Sequence, residues 1–258
     1  MNFYEFTFVA QQGLLQQEVE GMLQELVILL KNIKRDILFQ GVKGFLENKK
    51  LTKQKLEICS KTIQESLIHY SDFLENFVKI LFIELEENFS NLKEIKLKIG
   101  KELKNELKNL EIVQNFIRTL ESGKQITKNN FIRNIVSTLK VSISENLAKI
   151  FQDILKDCEA INLDELDKIL KVLLENVVAL GLIKYEYWGL LDFAYPINKM
   201  KSGHYCIMCI SSTSGIMEEF IRRIKLNENI IRHLFIQVNK FFEGKSYMIN
   251  KQVEEQSA

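Results

Sequence analysis

Residues 185–205 read YEYWGLLDFAYPINKMKSGHY and hold both the only Trp, Trp188, and the only Pro, Pro196. Aromatic and branched side chains dominate residues 183–193 and 205–210, which suits extended backbone. Pro196 lacks a backbone donor, so it closes the first extended segment or lies at a sheet edge. Asn198, Lys201, Ser202 and Gly203 interrupt the apolar text and supply turn geometry. The stretch therefore predicts a long hairpin.

Toward the N-terminus, residues 2–10 alternate. Tyr4, Phe6, Phe8 and Ala10 share one face, with Glu5 and Thr7 on the other, which predicts a first strand. Gln11-Gln12-Gly13 is a short connection. Val19, Met22, Leu23, Leu26, Leu29, Leu30 and Ile33 then recur with the period of a helix. Beyond the hairpin, Ser211 to Ser214 reads as a polar turn, and Met217, Phe220, Ile221 and Ile224 form one face of a further helix. Residues 230–238 form a last strand, with Leu234, Ile236 and Val238 alternating. The order is strand, helix, strand, strand, helix, strand. This is the α+β class: a ferredoxin-like split β-α-β sheet (βαββαβ). Such a sheet carries both helices on one face and leaves the other free.

A long all-helical insertion interrupts this unit after its first core helix. The first helix can continue to about residue 47, with a break at Asn48-Lys49-Lys50. Thr52 can cap a second helix to about residue 89. A third is expected over 92–120, ended at Ser122-Gly123-Lys124. A fourth is expected over 130–158, and a fifth over 163–180, with Asn162 and Glu165 at capping-box spacing. Both 16–33 and 163–180 could be the first core helix; the former lies the right distance after strand one. The expected division is a core of 1–33 plus 180–240, a helical insertion of 34–179 and a flexible tail of 241–258.

The net charge of +1 excludes a protein that binds polyanions through overall charge, so any nucleic-acid contact must be local. Residues 34–160 hold 22 basic and 18 acidic residues, which suits a self-packed bundle with a solvated face. Cys206 and Cys209 form a C-x-x-C, but three residues apart on a strand they face opposite sides, which argues against a metal or redox pair. His69, His204 and His233 share no ligand spacing, so no metal or cofactor is expected. No nucleophile–base set or phosphate loop is visible, and an enzyme is not expected. The N-terminus has no basic start and no apolar run is long enough for a bilayer, so a cytoplasmic protein without membrane contact is expected.

Local features suggest contact with RNA. Lys199 and Lys201 lie in the expected turn with His204 just beyond; Arg222, Arg223 and Lys225 near the end of the last helix; Arg232 and His233 at the start of the last strand. Such side chains contact phosphate. Tyr4, Tyr185, Tyr187, Trp188 and Tyr205 can stack on bases or pack against protein.

Trp188-Gly189, then Ala194 to Lys199, then Gly203-His204-Tyr205, resembles the signature of the bacterial small-subunit ribosomal protein six family. Met1 to Glu5 and Arg223 to Arg232 resemble that family's start and its last helix-to-strand junction. The resemblance covers about 1–33 and 180–240. It implies a structural constituent of the ribosome that binds small-subunit ribosomal RNA, in its central domain, together with small-subunit ribosomal protein eighteen. The implied RNA-binding residues are Lys199, Lys201, Arg232 and Arg223. The implied partner interface includes Trp188, Tyr187 and Tyr205, with the free sheet face. Position two is often basic in the family and is Asn2 here, so that charge contact is absent. The alternative is a helical scaffold or adaptor that uses the α/β unit as a platform.

Overall fold

The computed structural model describes residues 2–47, 53–87, 128–155, 163–242, 244 and 246–249. The four strands among them are β1 (Asn2–Gln11), β2 (Gly181–Ile197), β3 (Met200–Ser212) and β4 (Ile230–Val238), in one sheet of order β2-β3-β1-β4. All neighbours are antiparallel. The described helices are α1 (Gln16–Glu47), α2 (Lys53–Glu87), α3 (Lys128–Leu155), α4 (Leu163–Val177) and α5 (Ser214–Ile224). The expected third helix at 92–120, the breaks at 48–50 and 122–124, and the caps at Thr52 and Asn162 lie outside the described residues.

The chain divides into two units: Met1–Ile37 with Ala179–Ala258, and Leu38–Val178. The first contains the whole sheet, so a helical region lies between the N- and C-terminal parts of an α+β fold. In the second unit the buried residues keep helical spacing. Leu38, Val42 and Leu46 serve α1, Ile63, Leu67 and Leu74 serve α2, Ile143, Leu147 and Phe151 serve α3, and Leu170, Leu173 and Val177 serve α4. No helix among the described residues is long and apolar enough to cross a membrane.

The core of the sheet unit follows from two periods meeting. Tyr4, Phe6, Phe8 and Ala10 of β1 face Val19, Met22, Leu23, Leu26, Leu30 and Ile33 of α1 and Ile216, Met217, Phe220 and Ile224 of α5. Residues 16–33 are thus the first core helix, whereas α4 belongs to the second unit. The buried Lys34 ammonium donates to the Ala179 carbonyl, which holds together the points where the chain leaves the sheet unit and returns to it.

The hairpin is tighter than expected. Only Asn198 and Lys199 form its turn, and both have positive φ, 51° and 65°. A two-residue loop with both central residues left-handed matches the twist of the strands it joins, and Asn suits it well. Lys201, Ser202 and Gly203 therefore belong to β3, not to the turn, and Ser211 and Ser212 are buried strand residues instead of a polar turn. β2 runs through Pro196, as an edge strand can, because residues 193–196 have no partner on β3.

Gly203 marks a close approach. A Cβ there would lie 2.6 Å from Val9 Cγ1, 2.7 Å from Phe193 Cζ and 2.9 Å from the Ala10 carbonyl oxygen. Because one of these atoms is backbone, rotamer changes alone cannot make room. Gly203→Ala is expected to destabilise the sheet unit by about 1–3 kcal/mol, the usual cost of overpacking, measured by urea unfolding.

Candidate nucleic-acid interface

The alternation of β1 sorts the cations by face. Phe8 pairs with His233 and with Cys206, on the side of the helices. Val9 pairs with Arg232 and with Tyr205, on the open side. Arg232 and His233, adjacent in sequence, are thus separated, and the His233 ring lies 6.1 Å from that of Phe6. Arg232 is exposed and its Nη1 donates to the Tyr195 hydroxyl at 3.3 Å, which pushes the guanidinium pKa further up. Tyr195 lies three residues before Asn198. One end of the sheet therefore presents Lys199, Lys201, Tyr195 and Arg232, all exposed. Beside them the Phe193 ring meets Tyr205 edge-on at 6.1 Å.

Arg223 is not brought to this group. It lies on α5, in the helical layer, where its Nε donates to Glu219 at 2.7 Å and its Nη2 to Asp36 at 3.4 Å. Arg222 also donates to Glu219, at 2.7 and 2.8 Å. Hydrogen bonds from Arg222 and then Arg223 hold the Glu219 carboxyl at about 2, below its ordinary 4.5. A carboxyl lowered in this way contributes stability above about pH 4.5 and loses it as pH falls through about 2. Glu219→Gln is therefore expected to flatten the acid limb of the stability curve in that window. The effect is expected to shrink in high salt, since these groups face solvent.

The aromatic residues also separate. Tyr187 pairs with Cys206 and packs against the core on the helix side. Its hydroxyl lies 2.7 Å from His204 Nδ1. The Leu14 carbonyl can only accept, so His204 Nε2 donates to it, at 2.9 Å. Burial raises the Tyr187 phenol pKa. His204 is thus a buried histidine with both ring nitrogens engaged. Trp188 is the extra residue of a β-bulge between the pairs Tyr187–Cys206 and Gly189–Tyr205. Gly189 takes φ 89°, open to glycine at little cost. The Trp188 indole donates to Glu186 at 2.9 Å, and Glu186 pairs with Ile207 on the open side. Of the three residues expected at a partner interface, Trp188 and Tyr205 associate with the open face and Tyr187 does not. Asn2 donates to the Tyr4 hydroxyl at 3.1 Å.

The C-terminal segment covers part of this open face. Phe241 is buried against Phe3, ring centroids 4.7 Å apart, and against Cys209. Lys184 donates to the carbonyls of Phe242, at 2.6 Å, and Gly244, at 3.2 Å, and Ser246 N donates to Glu186 at 3.0 Å. Residues set apart as tail thus carry sheet contacts; only the two consecutive phenylalanines in polar text hinted at them. Toward the hairpin, Leu234 and Ile236 stay 61% and 44% exposed. Cys206 lies in the helix-side core and Cys209 on the opposite side, and burial pushes both thiols up to about 12. No cluster of metal-ligating side chains occurs among the described residues.

The sheet unit is thus a four-stranded ferredoxin-like sheet with exposed cations at its hairpin end and exposed Leu234 and Ile236 on its open face. The family model described as Ribosomal protein S6 matches residues 155–237, from before α4 into β4. A small ribosomal subunit protein bS6 of Wolbachia sp. subsp. Brugia malayi is 68% identical over 260 residues, covering 100% of both chains. The bS6 protein of Anaplasma marginale is 52% identical over 87 residues, 34% of this chain but 79% of that one. That of Rickettsia prowazekii is 39% identical over 99 residues, 37% and 80% of the two chains. The chain belongs to the bacterial small-subunit ribosomal protein bS6 family. Its role is structural, on the small subunit of the cytoplasmic ribosome.

Proposed function

We propose that the sheet unit binds small-subunit ribosomal RNA through its hairpin end, jointly with small-subunit ribosomal protein eighteen on the open face. The observation that carries this reading is the Arg232–Tyr195 bond, which joins the β4 cation to the hairpin bearing Lys199 and Lys201. Exposed Leu234 and Ile236 supply apolar surface for a protein partner. Residues 38–178 are read as an insertion in the family's fold. The Anaplasma protein, of which 79% aligns over 87 residues, is far shorter than this chain, while the family model starts at residue 155 and so takes in α4 as well as the sheet strands β2 and β3.

Few exposed cations imply few neutralised phosphates, each contributing roughly 0.7–0.9 to the salt slope. Binding of the full chain to a transcript of the ribosomal RNA central domain is therefore expected to be weak and shallow in salt alone. It should become tight once protein eighteen is added. Tight, steeply salt-dependent binding without the partner would contradict the reading. Replacing residues 38–178 by a short Gly-Ser linker is expected to leave the joint affinity intact; its loss would move the RNA contact into the helical region.

A further inference from the structure

Gln11, the last residue of β1, and Gln12 after it bond to the strand that leaves the hairpin turn and to the loop that enters β4. Gln12 Oε1 accepts from the amides of Lys201, at 3.2 Å, and Ser202, at 3.3 Å, and from the Ser202 hydroxyl at 3.4 Å. Gln11 Nε2 donates to the Glu228 carbonyl at 2.8 Å, and Gln11 N donates to the Asn229 carbonyl at 3.0 Å. Two residues on, the Leu14 carbonyl accepts from His204. This short stretch thus grips the hairpin just past its turn on one side and the loop entering β4 on the other. Both side chains are uncharged, and the sheet's core does not need them: Gln12 is exposed and Gln11 half-buried.

We propose that Gln11 and Gln12 are positioning residues that fix the separation between Lys199 on the hairpin and Arg232 on β4. The inference rests on the RNA reading above. Phosphates along a folded RNA have a set spacing, so cations whose supporting backbone fluctuates must be ordered when they bind. A bracket that orders them beforehand lowers that cost. Because the bracket carries no charge, its loss weakens affinity without changing how many phosphates are neutralised.

The test uses the full chain with protein eighteen and the central-domain transcript. The double variant Gln11→Met/Gln12→Met is expected to raise Kd about fivefold, with the salt slope unchanged, because ordering is lost and charge is not. In the free protein, exchange of the Lys201 and Ser202 amides is expected to speed up about tenfold as local opening becomes easier. Gln12→Glu keeps an acceptor oxygen and is expected to restore their protection. A Kd within about twofold of the parent, while Lys199→Ala still weakens binding, would overturn the bracket and leave the RNA reading standing. A lowered urea midpoint that accounts for the whole loss of affinity would also overturn it, by making the role merely structural. If Lys199→Ala and Arg232→Ala both bind like the parent, the RNA reading fails and the bracket falls with it.

Discussion

Phe6→Ala is expected to cost about 3–5 kcal/mol of folding free energy, as buried Phe-to-Ala changes do. Phe6 is fully buried at the meeting point of β1, α5 and β4. Its ring lies 5.6 Å from Phe8 and 5.7 Å from Phe220, the latter edge-on, and its strand partners are Met208 and Phe235. Removing it opens a cavity between rigid neighbours that cannot collapse onto it, and forfeits edge-to-face contacts as well as buried area. Native stability is typically about 5–15 kcal/mol, so the loss is a large share. Trp188, the only Trp, lies on β2 and reports on the sheet unit alone. The urea midpoint of its fluorescence should fall by more than about 1 M. A shift equivalent to less than about 1 kcal/mol would mean the core packs differently.

The second large effect falls on binding. The double variant Lys199→Ala/Arg232→Ala is expected to weaken the joint complex with RNA and protein eighteen about 10- to 100-fold, and to lower the salt slope by about 1.4–1.8, the share of two phosphates. Stability should hardly change, because both residues are exposed. Arg223→Ala serves as contrast. Its guanidinium is engaged by Glu219 and Asp36 in the helical layer, so its loss should leave the slope alone. An unchanged slope in the double variant would place the phosphates elsewhere on the chain.

Much of the fold was legible because burial imposes a period. The alternation at Tyr4, Phe6, Phe8 and Ala10, and the helical spacing from Val19 to Ile33, each predict the face that the core uses. What local pattern could not convey was a change of parity. The bulge at Trp188 adds a residue, so Tyr187 goes to the helix side while Gly189 pairs with Tyr205, and three aromatics grouped by sequence part company. Lys201, Ser202 and Gly203 have loop-like composition, so local pattern predicts a longer turn than Asn198-Lys199. Gly203 is a strand residue for a tertiary reason, the approach of Phe193 and Val9. Among the candidate cations, chain position could not distinguish Arg223, paired with carboxylates, from Arg232, bonded to a hydroxyl. The Gln12 contacts span about 190 residues of sequence and leave no periodic trace.

Ultraviolet cross-linking of small subunits carrying this chain, with cross-linked peptides mapped by mass spectrometry, tests the central claim most directly. RNA adducts are expected on the peptide holding Tyr195 and Lys199 and on the one holding Arg232. Adducts confined to α1, α5 or the helical region, with the hairpin peptide unmodified, would contradict it.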